Sequence, residues 1–219
     1  RWLQPIAHQV LARSHHAELR LQAAVKAGVG QYIIVGAGLD SFHWRRPAWA
    51  KKLVVFELDH PATQTMKRAR CVASALIGEP QWVACNFERE SAADALRRSA
   101  FDVSQPAFFA WLGVTHYLKP AATRATLAAL AEVAAPGSEL VFDYSVPPSK
   151  ITARDWPLAA GLGVLTALLG EPLVGGLMPD TLATWARETG WIVLDDLVGP
   201  PAGELRLPQV TRFAHWRRR

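Results

Sequence analysis

The sequence predicts an α/β fold with a doubly wound, mostly parallel sheet, and three observations support this prediction. Short runs of β-branched and aromatic residues alternate with helix-length amphipathic segments over more than half of the chain, as in strands joined by crossover helices. A Gly-Ala-Gly turn directly follows the first such run. Polar side chains stand at the ends of later runs, where a sheet of this kind binds ligands. With 219 residues, we expect a single domain, 1–219.

The helices are predicted from apolar periodicity and from residues that start or stop helices. The first lies in an N-terminal helical segment, 1–27, and ends at Gly28 and Gly30. Proline is tolerated in the first helical turn, so Pro61 and Pro120 mark two further helix starts. The predicted helices cover 7–26, 63–77, 91–99, 119–135 and 181–189.

The strands are predicted from short apolar runs that are bounded by turn residues. The run at 107–112 is apolar throughout, as expected for a strand that is buried on both faces. The last two runs are separated by a loop at 199–203, and we expect them to form an antiparallel hairpin at the edge of the sheet. The seven predicted strands cover 32–35, 53–58, 82–85, 107–112, 139–144, 191–194 and 210–215.

One segment, 149–170, interrupts the alternation of strands and helices. Much of it is rich in Ala, Leu and Gly. Two interpretations fit this segment equally well, namely a lid over the binding crevice and an ordinary packing helix.

Composition and charge limit the classes of function. The formal net charge is +5, and three positive charges are the arginines at 217–219, which we interpret as a solvated, frayed tail. No basic patch interleaved with aromatic residues is visible, so we expect no nucleic-acid partner. The longest apolar run, 157–169, is too short to span a bilayer, and the chain does not open on a signal peptide. We therefore expect a cytoplasmic protein without a membrane partner.

Disulfide and metal chemistry are not expected either. Cys71 and Cys85 are too few for a disulfide framework or a zinc site, and free thiols fit a reducing compartment. His15 and His16 are adjacent in the first predicted helix, without a third ligand at a suitable spacing. We interpret this histidine pair as part of a solvated helix face.

The glycine turn and an acidic residue after it predict a nucleoside cofactor. Gly36 and Gly38 flank Ala37 just after the first strand, where glycine allows a sharp turn and close approach of a ligand. Glu57 stands at the end of the second predicted strand, and a carboxylate there can accept hydrogen bonds from both ribose hydroxyls. A purely structural strand-to-helix turn is the alternative for the glycines alone.

Two residues indicate which cofactor binds. The dinucleotide fingerprint has a third glycine three residues after the second, and Ser41 occupies that position. Asp40 adds a negative charge where a pyrophosphate would lie. Both argue against an NAD(P)-dependent oxidoreductase and for a cofactor with a cationic end and no phosphate. S-adenosylmethionine, with its product S-adenosylhomocysteine, meets this description.

Candidate site residues follow five of the predicted strands. Because the carboxyl ends of parallel strands meet at one edge of the sheet, we expect these residues to converge on one crevice. They are residues 36–40, Glu57, Asn86 with Phe87, residues 111–117, and Asp143 with Tyr144.

Five motifs in this order resemble those of the leucine carboxyl methyltransferase family, and in particular its bacterial branch of S-adenosylmethionine-dependent O-methyltransferases. They are Arg-Ser at 13–14, Gln-Tyr-Ile-Ile-Val-Gly-Ala-Gly-Leu-Asp-Ser at 31–41, Val-Phe-Glu-Leu-Asp-His-Pro at 55–61, Trp-Leu-Gly-Val-Thr-His-Tyr-Leu at 111–118 and Glu-Leu-Val-Phe-Asp-Tyr at 139–144. The resemblance covers nearly the whole chain. It implies a class I methyltransferase fold, which is Rossmann-like with an antiparallel edge strand.

The resemblance also implies roles at the methionine end of the cofactor. Arg13 would pair with the methionine carboxylate. Gly36, Ala37 and Gly38 would pass under the methionine and ribose, and Asp40 completes this turn.

Further along the chain, the resemblance implies that Glu57 would hold the ribose hydroxyls. Asn86 and Phe87 would border the adenine, and Trp111 would lie near the sulfonium.

Three features depart from the family pattern. Asn86 stands where the family usually has Asp, and Leu112 stands where many members have Glu. The helical segment before Arg13 is also short. These departures keep a second hypothesis open, namely a non-catalytic partner protein on a degenerate methyltransferase fold.

The implied reaction is in-line methyl transfer to an oxygen of a small-molecule acceptor. A carboxylate acceptor needs no base, whereas an alcohol or phenol benefits from one. His116 and Tyr117 are the candidate catalytic residues, and packing at a strand-to-helix junction explains them equally well. The tryptophans near the crevice, Trp44, Trp49, Trp111 and Trp156, suggest an apolar or aromatic acceptor.

Overall fold

The computed structural model describes residues 4–71, 78–198 and 209–219. Its helices are α1 (Gln4–Lys26), α2 (Phe42–Arg45), α3 (Pro61–Cys71), α4 (Ala92–Arg97), α5 (Pro120–Val133), α6 (Trp156–Leu168) and α7 (Pro179–Thr189). Its strands are β1 (Gln31–Val35), β2 (Val54–Asp59), β3 (Gln81–Ala84), β4 (Ala107–Trp111), β5 (Glu139–Ser145), β6 (Trp191–Leu197) and β7 (Thr211–Arg218). Single 3-10 turns lie at Ala48–Ala50, Thr115–Tyr117 and Pro148–Lys150. The predicted helix at 63–77 starts at Pro61, and its last part, 72–77, lies outside the described residues.

The seven strands form one sheet in the order β3-β2-β1-β4-β5-β7-β6. Strands β1 to β5 pair in parallel, and β7 runs antiparallel to both of its neighbours, β5 and β6. The structure thus confirms a mostly parallel, doubly wound sheet with an antiparallel hairpin of the last two strands. The direction of winding reverses between β1 and β4, and such a reversal opens a crevice at the carboxyl ends of the strands.

Helices cover both faces of the central strands. All five residues of β1 are buried. Alternate side chains of a strand point to opposite faces of the sheet, so both faces of β1 are covered. Ile33 and Val35 pack in the core that includes α4, α5 and α7. Tyr32 and Ile34 pack in the second core, to which α1 contributes Leu21.

The expected frayed tail at 217–219 is wrong, because Arg217 and Arg218 continue the last strand and their side chains are paired. Arg217 and Arg218 belong to β7. Arg217 Nη2 lies 2.8 Å from Glu139 Oε1, and Arg218 Nη1 donates to the Gly190 carbonyl oxygen at 2.7 Å. The Glu139 side chain on β5 and the backbone carbonyl oxygens of Thr189 and Gly190 at the end of α7 therefore hold the end of β7 in place.

The expected solvated face at His15 and His16 is only half right. His15 is exposed, but His16 is 5% exposed, and its ring centroid lies 6.4 Å from that of Phe213 on β7. His16 is therefore part of the contact between α1 and the sheet.

Helix α6 makes up most of the segment at 149–170. None of its residues is fully buried, and Leu168 is 81% exposed. Its inner side lines a cavity at the carboxyl edge of the sheet, which fits both interpretations of this segment. No helix in the described ranges has the length and apolar character needed to cross a membrane.

Candidate active site

The glycine turn lies at the carboxyl end of β1. Gly36 and Gly38 have φ angles of +66° and +48°, in the left-handed region that glycine adopts without steric cost. The N–H groups of Gly36 and Ala37 donate to the Leu58 carbonyl oxygen at 2.8 and 3.2 Å, which ties the turn to β2. A Cβ at Gly36 would lie 2.6 Å from Val114 Cγ2, so the absence of a side chain here leaves room for Val114.

Two carboxylates flank this turn. Asp59, the last residue of β2, accepts hydrogen bonds from the N–H of Gly38 and from the N–H of His60 at 2.6 Å. Asp40 Oδ1 accepts the N–H of Phe42 at 2.7 Å, at the start of α2. A carboxylate has about four acceptor positions. Both carboxylates are partly exposed and keep capacity for donors of a ligand.

Glu57 lies inside the protein rather than at the open edge. Its side chain is fully buried, and Oε2 lies 2.5 Å from Nζ of Lys67, which is also buried. The Lys67 ammonium stands 5.3 Å from the ring centroid of Trp44 and 5.9 Å from that of Trp82. Within the described part of the chain, Glu57 Oε1 has no hydrogen-bond partner.

Burial also changes the ionisation of Glu57. Burial raises the pKa of this carboxyl to about 7, although the ammonium of Lys67 acts in the opposite direction. An enclosed carboxyl that holds its proton close to neutral pH is a poor acceptor for ribose hydroxyls. The ribose contact of Glu57 stays a prediction, and its position does not favour that contact.

The loop after β3 carries the two residues predicted to border an adenine. Asn86 Oδ1 accepts the N–H of Glu88 at 3.0 Å, and the side chain of Phe87 is 40% exposed. Phe87 lines a cavity of about 430 Å³, together with Trp111 and Val114 from the end of β4 and the segment after it. This cavity lies between the β3 loop and α5.

Trp111 forms part of the wall of this cavity from inside the core. It is 1% exposed, and its ring centroid lies 6.2 Å from that of Phe142. This position does not favour a contact between the indole ring and a sulfonium, and the role of Trp111 stays a prediction.

Helix α1 brings Arg13 to the carboxyl ends of β4 and β5. Arg13 Nη1 donates to Asp143 Oδ2 at 3.0 Å. Gly113 has a φ angle of +73°, and a Cβ there would lie 2.6 Å from Arg13 Nη2. The N–H of Gly113 donates to Asp143 Oδ1 at 2.6 Å. Arg13 Nε is buried and has no partner among the described residues, whereas the side chain as a whole is 21% exposed, so a ligand in the crevice can reach the guanidinium.

Asp143 is an ionised carboxylate at the centre of this group. Burial raises the pKa of Asp143, but His116, Arg13 and the N–H of Gly113 more than offset burial and lower it to about 2. The buried charge is thus compensated on several sides.

His116 connects Asp143 to Ser145. Its Nε2 lies 3.2 Å from Asp143 Oδ2, and its Nδ1 lies 2.7 Å from Ser145 Oγ. Thr115 Oγ1 donates to the carbonyl oxygen of Asp143 at 2.6 Å. The N–H of Gly175 donates to the carbonyl oxygen of His116 at 2.8 Å. The imidazole is therefore held at both nitrogens and through its backbone.

A second cavity, of about 380 Å³, opens over this group. Arg13, His116, Asp143 and Ser145 form its polar end, and Trp156 with other residues of α6 forms an apolar wall. Tyr117 also lines this cavity and is 41% exposed.

The structure brings most of the predicted site residues to one edge of the sheet. Those at the edge are Arg13, Gly36, Ala37, Gly38, Asp40, Asn86, Phe87, His116 and Tyr117, whereas Glu57 and the ring of Trp111 point into the protein. Sequence reasoning did not single out Asp59 or Ser145. The signal for each was its place as the last residue of a strand, two positions after a residue that was singled out.

Comparison with known proteins links this chain to a family. The family model described as leucine carboxyl methyltransferase matches residues 1–131. YktD of Bacillus subtilis is 36% identical over 137 residues, which are 62% of this chain and 45% of YktD. A protein of Mycobacteroides abscessus is 30% identical over 198 residues, which are 87% of this chain and 63% of that protein. Both carry the name "Putative S-adenosyl-L-methionine-dependent methyltransferase". The chain spans about half the length of the curated relatives it matches.

Solved structures share the fold. The mitomycin 7-O-methyltransferase MmcR has a TM-score of 0.62 at 15% identity, over 95% of this chain and 54% of MmcR. The magnesium protoporphyrin IX methyltransferase ChlM from Synechocystis PCC 6803, solved with bound S-adenosylhomocysteine, has a TM-score of 0.59 at 15% identity, over 98% of this chain and 84% of ChlM. At this identity the likeness concerns the fold alone, and it confirms the predicted class I methyltransferase architecture.

Proposed function

The chain belongs to the leucine carboxyl methyltransferase family, and from that premise we propose that it is an S-adenosylmethionine-dependent O-methyltransferase acting on a small molecule. The family's cofactor would bind along the carboxyl edge of the sheet, within a single domain, 1–219. The observation that carries this proposal is the position of Arg13. Its side chain is 21% exposed, its Nε has no partner among the described residues, and the guanidinium lies beside Gly113 above the switch point, where a carboxylate ligand would meet it.

The methionine end of the cofactor fits the residues around Arg13. The guanidinium offers a charged hydrogen-bond donor to a carboxylate. Asp143 and the exposed acceptor capacity of Asp40 supply negative charge for a cationic ligand. Leu112 has no carboxylate to offer the ammonium, so this contact would fall to Asp143 or to backbone carbonyls.

The adenosine end fits the other half of the edge. We propose Asp59 as the acceptor for the ribose hydroxyls, because its carboxylate is partly exposed beside Gly38. Asn86 and Phe87 would border the adenine, which would enter the cavity of about 430 Å³. The amide of Asn86 can accept from the exocyclic amino group through its oxygen, and the exposed ring of Phe87 offers a stacking face.

The chain's own residues would orient the acceptor and exclude water. When bound, S-adenosylmethionine supplies a methyl group that is already activated on a sulfonium. The acceptor would lie in the cavity of about 380 Å³, against the apolar wall of α6. A carboxylate and a hydroxyl group are both compatible with O-methylation.

Calorimetric titration with S-adenosylmethionine, S-adenosylhomocysteine and NADH tests this proposal. We expect micromolar affinity for the first two ligands and no binding of NADH. Arg13→Gln should weaken both interactions about tenfold or more, whereas Arg20→Gln, on the same helix but paired with Asp195, should not. Binding of NADH alone would overturn the proposal, and binding of none of the three would favour a non-catalytic partner protein.

A further inference from the structure

The cavity above Asp143 is lined by a hydrogen-bonded series of side chains, Ser145–His116–Asp143, and a carboxylate acceptor would not need such a series to lose a proton. We propose that the acceptor is an alcohol or a phenol, and that Ser145 and His116 take up its proton while Asp143 orients the imidazole. This inference rests on the proposed methyl transfer and assigns the substrate class of that site.

The hydrogen bonds indicate which atoms of Ser145, His116 and Asp143 carry protons. An ionised carboxylate can only accept, so the proton that His116 shares with Asp143 must be on Nε2. The contact is 3.2 Å long. In the neutral imidazole, Nδ1 then carries a lone pair and accepts the hydroxyl proton of Ser145 at 2.7 Å. The Ser145 oxygen keeps two lone pairs, and one of them is available to a hydroxyl group in the cavity.

The charges around the cavity favour a neutral acceptor. The ionisable groups lining it are Arg13 on α1, Asp143 on β5, and His116 and Tyr117 on the turn after β4. Arg13 is paired with Asp143 at 3.0 Å and is already assigned to the cofactor carboxylate, so the pair leaves no positive charge for a second anion. An acceptor carboxylate would lie close to the carboxylate of Asp143, and like charges at short range disfavour binding.

The remainder of the cavity favours an apolar body on the acceptor. Trp156 and Leu162 on α6, together with Ile151 and Leu173 beside it, supply apolar wall. A hydroxyl group attached to an apolar or aromatic body would therefore place its polar end at Ser145.

The proposed step conserves atoms and charge. The acceptor oxygen forms a bond to the methyl carbon as the carbon–sulfur bond breaks, and the pair of that bond stays on sulfur. The acceptor proton passes to Ser145 Oγ while the Ser145 proton passes to Nδ1 of His116. The imidazolium is held by the Asp143 carboxylate and later releases its proton to water.

Two measurements test the proposed proton transfer, and neither of them requires turnover. In the protein labelled with 15N-histidine, we expect His116 to carry its proton on Nε2, and Asp143→Asn should change this tautomer signature. In the protein loaded with S-adenosylhomocysteine, 2-naphthol should bind at least tenfold more tightly than 2-naphthoate. Equal or tighter binding of 2-naphthoate would overturn the proposal.

Turnover is measured as transfer of the methyl group from tritiated S-adenosylmethionine to an acceptor. The acceptors are pairs of a phenol and a carboxylic acid that share the same aromatic body. We expect methylation of the phenols only. Ser145→Ala and His116→Gln should reduce it 100-fold or more, while affinity for S-adenosylhomocysteine changes less than threefold. The matched controls are Ser149→Ala and His15→Gln, at exposed positions outside the cavity.

The outcomes separate this proposal from the proposed function. Methylation of the acids, or of neither series, by a protein that binds the cofactor would overturn the hydroxyl acceptor and leave cofactor binding intact. Unchanged phenol methylation in His116→Gln would remove the proton-transfer role. Loss of cofactor affinity in the unmodified protein would instead contradict the proposed function itself.

Discussion

At the residue scale, Glu57 and Lys67 form a buried ion pair whose two charges have both left water. The contact of 2.5 Å and the aromatic rings of Trp44 and Trp82 compensate the ammonium. The carboxylate is compensated less well, since Oε1 lacks a partner in the described part of the chain and burial raises the pKa of Glu57 to about 7. The native state therefore holds the Glu57 proton more tightly than the unfolded chain does. The stability that this proton adds is present below pH 4.5 and decreases as the pH rises towards 7.

Lys67→Met should destabilise the protein in a pH-dependent way. Without the ammonium, an ionised Glu57 is a buried, unpaired charge, and the free energy of unfolding should fall by about 3 kcal/mol at pH 8. At pH 5 the carboxyl is neutral and the loss should be clearly smaller. Urea denaturation at both pH values measures this difference. The control is Arg68→Met, which removes an exposed pair with Glu79 and should cost less than about 1 kcal/mol. An equal loss at both pH values would contradict this account.

Asp59 and Glu57 can be compared directly as ribose acceptors. Asp59→Asn keeps an oxygen for the N–H of Gly38 but removes the charge, and we expect the dissociation constant for S-adenosylhomocysteine to rise about tenfold, or 1.4 kcal/mol. Glu57→Gln should change it less than threefold, because its side chain is enclosed. Calorimetric titration of both variants provides the measurement. The reverse order of effects would restore Glu57 as the ribose acceptor.

At the element scale, helix α7 ends at a glycine whose backbone conformation and surroundings disfavour a side chain. Gly190 has a φ angle of +77°, and a Cβ there would lie 1.9 Å from Nη1 of Arg218. This arginine donates to the carbonyl oxygens of Thr189 and Gly190 at 3.2 and 2.7 Å. The end of α7 and the end of β7 are thus joined at one point.

Gly190→Ala should cost more than backbone strain alone. A left-handed conformation costs a non-glycine residue about 1 to 2 kcal/mol, and displacement of Arg218 adds to that loss. Gly170→Ala is the matched control, because Gly170 has a φ angle of +82° with no atom within 4 Å of the added Cβ. Chemical denaturation should show a larger loss for Gly190→Ala by about 1 kcal/mol or more. Equal losses would mean that Arg218 moves away freely.

The sequence predicts a helix or strand well where the local residue pattern decides it. It predicts less well a segment whose structure depends on residues that are distant in sequence. The runs at 32–35 and 107–112 are apolar because both faces of β1 and β4 are covered. The frayed tail expected at 217–219 is wrong because its arginines pair with Glu139 and Gly190. Both partners are remote in sequence, so the local pattern does not predict these contacts.

The same limit applies to the site. Glycine and arginine at fixed places in motifs predicted the turn and Arg13. The sequence does not reveal that Lys67 folds over Glu57, nor that His116 reaches Ser145, because each contact depends on how a helix or loop packs on the sheet.

At the scale of the whole molecule, acid should unfold the protein partly through His16, which lies between α1 and the sheet. Burial lowers the pKa of His16 to about 4, with Arg20 and His215 acting in the same direction. The unfolded chain takes up this proton near pH 6.5, so the contribution of a neutral His16 is present above pH 6.5 and is lost as the pH falls towards 4.

His16→Gln should therefore reduce the loss of stability between pH 6.5 and pH 4, because glutamine cannot take up the proton. Urea denaturation at four pH values in this interval measures the slope. His15→Gln, at the exposed neighbouring position, should leave the slope unchanged. A slope in His16→Gln equal to that of the unmodified protein would assign acid sensitivity to other groups, such as the carboxylates paired in the native state.

The position of β7 between β5 and β6 has a consequence for how the protein is made. Strand β6 pairs only with β7 within the described residues, and one side of β5 stays open until β7 arrives. During synthesis the ribosome releases β1 to β5 first, and those strands can pair in parallel as they emerge. Strand β6 then waits without a neighbour while Thr211–Arg218 is still in the exit tunnel. Translation arrested before those eight residues emerge would leave a nascent chain with β6 and one edge of β5 unpaired, and chaperones would be expected to bind these strands.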